Sequence, residues 1–193
     1  MYLFIDTTHN LSLGLLKESF NWLEFKKIET RKSSQLLHAS VHDLLLKHDI
    51  GLDDLKAVIA VAGPGSYTGM RVSDGFTKVL EQEGMTKLSF YSYEVPRILG
   101  VNEGVFISKA FKGEFFVHEW SEGEEKQKRV VDIKDFKNKF DSIFSFDSEL
   151  GNIEIINLIE SKPEVLFKHI VENGVKRELL YYRSLEEEFK LYG

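Results

Sequence analysis

Apolar and polar positions near the start of the chain alternate in short runs. Residues 2–5 are apolar, residues 6–10 form a polar turn, and Leu11, Leu13 and Leu15 alternate with Ser12 and Gly14. A period of two on either side of a polar turn predicts a β-hairpin. Residues 21–28, with Trp22, Phe25 and Ile28, supply a third strand. The period then changes. Leu37, Val41, Leu44 and Leu45 recur at helical spacing and predict a helix from 34 to about 48, capped by Ser33 or Ser34 and ended near Gly51. Residues 55–62 are apolar apart from Lys56 and carry Val58, Ile59 and Val61, so they read as a buried strand. Gly63, Pro64 and Gly65 impose a sharp turn. Ser66 or Thr68 then caps a helix over about 69–83, which Gly84 stops, and a strand over 87–93 follows.

Pro96 and Gly100 mark a seam, after which the order of elements recurs more weakly. Residues 105–109, 114–120 and 126–131 read as strands, with Gly123 in an acidic turn between the last two. A helix over 132–139, a strand over 142–146 and a helix over 163–173 complete the series, with Pro163 suited to a first helical turn. No sequence repeat underlies this; only the order is repeated. Two β-β-β-α-β-α units side by side are the layout of the duplicated RNase H-like, actin-like (ASKHA) α/β fold. The division expected is an N-terminal lobe over residues 1–99 and a smaller, abbreviated C-terminal lobe over 100–193 that depends on packing against the first. Phe115, Phe116, Trp120, Phe144 and Phe146 are assigned to the second lobe's core, and Glu186 and Glu188 to an acidic tail expected to be a solvated helix.

Composition narrows the function. The 193 residues carry a formal net charge of -6, which argues against a chain that holds nucleic acid by itself. With no cysteine, disulfides, thiolate nucleophiles and zinc-thiolate sites are excluded. No apolar run approaches membrane-spanning length, and Met1 leads straight into a strand-like segment without a basic leader. The expectation is a soluble cytoplasmic protein with no membrane association.

A strand, a glycine turn and a helix N-terminus form the general recipe for gripping a phosphate. The candidate loop here joins Asp6, Thr7 and Thr8 to Gly63, Pro64, Gly65, Ser66, Thr68, Gly69 and Arg71. It lacks both the Gly-Lys-Ser/Thr ending and the GxGxxG fingerprint, so a structural tight turn and a weak phosphate site both fit the spacing. An actin-like ATPase would need a second acid from the other lobe to hold Mg²⁺, where Lys109 stands instead. His38 and His42 have the i, i+4 spacing of a metal pair, but no third ligand is evident and Asp43 is expected to point elsewhere; no metal site is assigned. Val72, Phe76, Val79 and Leu80 mark the apolar stripe of the second helix. Leu36, Leu44 and Leu46 spread apolar surface around the first, which suggests a partner.

Several stretches also resemble one family. Phe4-Ile-Asp-Thr-Thr8 and Leu11-Ser-Leu-Gly-Leu15 are similar to the opening IDTAT…SVAL hairpin of the TsaB (YeaZ) family, and Gly63-Pro-Gly-Ser-Tyr-Thr-Gly-Met-Arg71 to its GPGSFTGLR signature. Gly113-Glu-Phe-Phe116 resembles its GEVY strand, and Tyr181-Tyr-Arg183 its near-terminal YLR. The matches fall in order across nearly the whole chain. The family's Asp-Ala-Arg before Gly-Glu is Lys109-Ala-Phe111 here, its Arg before GPGS is Ala62, and a His before the first long helix is Ser33 or Ser34.

The resemblance implies a non-catalytic scaffold subunit in the synthesis of N6-threonylcarbamoyladenosine (t6A) in tRNA. It would support a TsaD-type transferase, join a TsaE-type ATPase and meet tRNA only through the complex. It implies no catalytic residue and no cofactor of its own, with ATP or ADP and a metal only in the partner or at the joint interface. The partner interface it implies is Leu37, Val41, Leu44 and Leu45 on the first helix with Met70, Ser73, Phe76, Thr77 and Leu80 on the second. Homodimerisation of the isolated chain through the same helices is compatible with this. The alternative is an independent actin-like ATPase or kinase using Asp6, Thr8 and the loop over 63–69.

Overall fold

The computed structural model describes residues 1–30, 32–110, 113–132 and 134–182. Tyr2–Asp6 (β1) is buried on both faces and takes the middle of a sheet. It pairs antiparallel with Leu11–Leu16 (β2), Leu3 opposite Leu15 and Ile5 opposite Leu13. On its other side it pairs parallel with Ala57–Val61 (β4). Trp22–Ile28 (β3) and Thr86–Phe90 (β5) complete the order β3-β2-β1-β4-β5. Alternation along the strands sorts the side chains. Leu3, Ile5, Leu13 and Val58 pack beneath Ser33–Lys47 (α1) and Tyr67–Gln82 (α2), while Tyr2, Phe4 and Ile59 face the opposite way.

Gly104–Lys109 (β6) repeats the role of β1. It lies antiparallel to Glu114–Ser121 (β7) and parallel to Ile143–Ser145 (β9), with Glu124–Asp132 (β8) and Ile153–Glu154 (β10) at the edges. Counted from the same end, β8-β7-β6-β9-β10 is the order of the first sheet, so the duplicated actin-like α/β layout is present.

The helices of the second unit differ from expectation. The helix over 132–139 is absent among the described residues. Asp132 Oδ1 accepts the N–H of Lys134 at 2.9 Å, and Asn138 bonds both the N–H and the carbonyl of Phe140. Such local side-chain bonds hold the backbone in turns that compete with a helix. Ile155–Ser161 (α4), to which no expectation attached, and Pro163–Glu172 (α5) follow β10 instead. Together with Val95–Ile98 (α3) they lie between the sheets. Ile155, Ile159, Leu166, Phe167 and Ile170 join Phe4 and Phe90 of the first sheet and Phe106, Phe116, Trp120 and Phe144 of the second in one continuous core. Of the aromatics assigned to a core of the second lobe, three are therefore shared by both lobes. Phe115 faces away from them into a small cluster with Val105, Ile107 and Val117, covered by Phe136 and Phe140. Phe146 is half-buried and stacks on His9.

Two boundaries also moved. The strand expected over 87–93 stops at Phe90, because the Tyr91 N–H turns to the Glu94 carboxylate and the Ser92 N–H donates to Gly63 O. Neither Ser33 nor Ser34 caps α1, whose cap position is Lys32. Ser66 does cap α2, accepting the Gly69 N–H at 3.2 Å. The expected acidic tail helix and Arg183 lie outside the described residues. Residues 175–180 form a strap along the free side of β5, with Ser89 N–H donating to Val175 O at 2.9 Å and Arg177 N–H to Ser89 Oγ at 2.7 Å. Among the described residues no helix is long and apolar enough to cross a membrane.

Gly14 lies under the Trp22 indole, whose N–H donates to Glu160 O at 3.0 Å. A Cβ on Gly14 would sit 2.3 Å from the ring. Gly14→Ala is expected to lower the unfolding free energy by about 2 kcal/mol through overpacking, read by urea denaturation with an unchanged m-value.

Candidate functional site

The turn joining β4 to α2 lands on the backbone that follows β1. Gly63–Pro64 is a cis peptide and Gly63 has φ 114°, a conformation that favours glycine. Ser66 N–H donates to Thr8 O at 2.6 Å, and the Thr7 hydroxyl donates to Gly69 O at 2.8 Å. Contact is so close that a Cβ on Gly65 would lie 2.5 Å from Thr8 O, and one on Gly69 would lie 2.1 Å from Thr7 O. The two segments fill each other's concavity, and the Ser66 and Gly69 N–H groups are taken up within the protein. Thr68 and Arg71 lie outside this contact, exposed, with the Arg71 guanidinium donating to the Tyr67 hydroxyl at 2.8 Å. The arrangement clamps the start of α2 to the first hairpin.

Asp6 lies beneath this clamp. Its Oδ1 accepts the Thr8 N–H at 2.8 Å and the Thr8 hydroxyl at 2.7 Å. Both bonds favour the ionised form, but burial outweighs them and pushes the carboxyl up to about 6. His9 stacks on Phe146, ring centroids 4.3 Å apart, and its two nitrogens lie 3.4 Å from Thr8 Oγ1 and 3.3 Å from Ser108 Oγ. Burial pushes this imidazole down to about 4 against the weaker pull of Asp147. Ser108 also meets the Tyr182 hydroxyl, which burial pushes up to about 12. A polar chain from Asp6 through Thr8, His9 and Ser108 to Tyr182 thus crosses from one sheet to the other.

Asp6, His9, Ser12 and Lys27 line one side of a cleft of about 300 Å³ between the lobes, and Phe146 and Glu154 the other. Lys109, at the end of β6, is ion-paired with Asp147 and stands 3.7 Å from Glu149. Among the described residues no group of three or more His, Asp or Glu side chains converges as a metal would require. His38 lies edge-on to Phe76, while His42 Nδ1 is 3.6 Å from Asp43 Oδ1. Asp43, expected to point away, thus faces the second histidine.

The helix pair presents a different face from the one expected. Leu37, Val41, Leu44, Leu45 and Leu80 are buried against the sheet, and Met70, Ser73 and Thr77 are buried as well; Phe76 is half-buried. Leu44, counted as surplus surface, and Val79, counted in the inward stripe, exchange roles. The outward residues are Leu36, Leu46 and Val79, at 38%, 68% and 57% exposure. Beside Val79 on α2 is Gly75, where an added Cβ would meet nothing within 4 Å. The i, i+4 spacing of Gly75 and Val79 was the signal that could have separated this outer stripe from the buried one.

Asp6 makes stability depend on pH in a definite direction. Its pKa in the folded protein exceeds the usual 3.8, so the fold retains a proton that the unfolded chain has lost. Stability from this group is fully present below about pH 3.8 and falls as pH rises to about 6, by roughly 3 kcal/mol at ~1.36 kcal/mol per unit. His9, with its lowered pKa, withdraws stability in the opposite direction, as pH falls from 6.5 toward 4. Comparing Asp6→Asn with the parent by urea denaturation between about pH 3.5 and about pH 7.5 cancels the His9 contribution. The variant is expected to gain on the parent by a few kcal/mol across the window; a constant difference would mean that Asp6 ionises normally.

No family model matches the sequence. TsaB of Bacillus subtilis (strain 168), a tRNA threonylcarbamoyladenosine biosynthesis protein, is 34% identical over 77 residues, which are 39% of this chain and 34% of that protein. The match therefore spans about a third of this curated relative. YeaZ from Pseudomonas aeruginosa shares the fold at TM-score 0.64 and 19% identity, over 91% of this chain and 95% of that one. An uncharacterised protein with similarity to peptidase YeaZ, from Pseudomonas aeruginosa, does so at TM-score 0.61 and 18% identity, over 93% and 99%. The sequence is thus similar to TsaB over 77 residues, and the fold is shared with YeaZ over nearly the whole chain.

Proposed function

We propose that this protein is a non-catalytic subunit of the machinery that makes t6A in tRNA, and that it binds and supports a TsaD-type transferase. The observation that carries this reading is the outward face of α1 and α2. Leu36, Leu46 and Val79 are exposed on adjacent helices. Gly75 interrupts α2 without any neighbour to require it. A glycine inside a helix costs about 1 kcal/mol relative to alanine, and its use is to let another backbone come close. A second helix pair laid across this face would cover the apolar residues and use the gap at Gly75. The buried residues first assigned to the interface, Leu37, Val41, Leu44, Leu45, Met70, Ser73, Thr77 and Leu80, then act from beneath by holding the two helices in place.

The clamp at Gly65 and Gly69 sets the direction of α2, and no residue of this chain is assigned to catalysis. A TsaE-type ATPase joins the complex, and tRNA is reached through the assembled subunits. The chain holds no cofactor alone; ATP or ADP and a metal belong to the partner or to the joint surface. Pairing of the isolated chain with a second copy through the same face is compatible with this reading. Its place is the cytoplasm.

Size-exclusion chromatography with light scattering, on this protein alone and mixed with the TsaD-like protein of the same organism, tests the reading. A one-to-one complex is expected, weakened at least tenfold by Leu46→Glu or Val79→Glu in variants whose circular dichroism is unchanged. A complex indifferent to both substitutions would place the interface elsewhere. Absence of a complex, with ATP turnover lost in Asp6→Asn, would replace this reading with that of an independent actin-like ATPase or kinase.

A further inference from the structure

A second concavity of about 320 Å³, sharing no lining residue with the cleft at Asp6, opens where α3, the β7–β8 turn, α5 and the strap meet. Ile98, Val101 and Val175 give it apolar walls, and Glu94, Arg97, Asn102, His169 and Arg177 its polar ones. The two arginines differ in state. Arg177 donates from Nε and Nη2 to Glu94 Oε1 at 3.0 and 2.7 Å, so its charge is matched and its side chain held. The Arg97 guanidinium makes no hydrogen bond or ion pair among the described residues. The neighbour it does act on is His118, a buried imidazole that burial, Lys128 and Arg97 together keep neutral. The cavity's surplus charge is thus positive in a protein of formal net charge -6.

We propose that this cavity binds a small organic oxyanion, with the carboxylate or phosphoryl group on Arg97 and a short apolar body against Ile98, Val101 and Val175. A guanidinium presents a planar fork to two oxygens, and an unpaired one in a concave site keeps most of its pull. The Asn102 amide stands at the same wall to take a further oxygen. The volume suits a metabolite-sized molecule rather than a polymer. Neither α1 nor α2 contributes to the walls, so occupancy and partner docking are separable. The occupant would touch the strap at Val175 and Arg177 and the second sheet at its β7–β8 turn through Gly123, and so bridge the two lobes.

The test is a ¹H–¹⁵N correlation titration of the full chain with sodium phosphate and, separately, sodium isobutyrate, at ionic strength held constant with chloride. At least one anion is expected to give saturable shifts at the Val101 and Gly123 amides. Arg97→Gln is expected to weaken that binding at least tenfold, Arg97→Lys to retain part of it, and Lys168→Gln, outside the cavity on α5, to leave it unchanged. Tighter binding of isobutyrate assigns a carboxylate ligand, and tighter binding of phosphate a phosphoryl one. If neither anion saturates at those amides, or if folded Arg97→Gln binds as the parent does, the proposal is overturned.

Discussion

The Phe167 ring stands between the two sheets, edge-on to Phe4 at 5.3 Å and to Trp22 at 5.2 Å, with Phe90 at 6.3 Å. It comes from α5, in the second half of the chain, yet it covers the face of the first sheet that α1 and α2 leave open. A chain of 193 residues divided into two independent lobes would give each a small core. Pooling the apolar faces avoids that, and it also fixes the lobes to each other. Widening the cleft at Asp6 would mean parting a close-packed aromatic core, so the cleft is held rather than hinged.

Within this frame the contact between residues 7–8 and the glycine turn connects sequence to surface. Gly65 and Gly69 allow backbone to meet backbone, Ser66 caps α2 at that point, and the helix leaves at an angle that turns Gly75 and Val79 outward. Asp6 below the same contact illustrates how effects are ranked. Two hydrogen bonds from Thr8 favour its charge, yet removal from water is the larger effect and wins.

Strands were the most legible part of the sequence, because alternation and the polar turn at residues 6–10 are local signals. The glycine turn was legible for the same reason: its requirement for glycine is local, although the partner it packs on is not. The helix expected over 132–139 failed because helical spacing says nothing of Asp132 and Asn138 bonding their own backbone. Ile155 and Ile159 of α4 went unassigned because a short apolar run rich in β-branched residues carries little helical preference. At the candidate interface the stripe on α1 correctly identified an amphipathic helix, but its apolar side is the one the sheet consumes. Leu46 and Val79 emerge as surface only once the sheet is in place. Arg97 was invisible for a similar reason, since the walls around it come from segments far apart in the chain.

The strap has a consequence for the order in which the molecule forms. Ser89 bonds Arg177 across 88 positions of sequence, and Val175 closes on the same strand. Phe167 reaches Phe4 across a still longer interval. On a ribosome, which releases the amino end first, the first sheet would emerge with one edge unsealed and one apolar face bare. Neither is fully covered until α4, α5 and the strap have left the exit tunnel. The first half therefore cannot mature as a separate unit during translation, and folding to completion waits for nearly the last of the described residues.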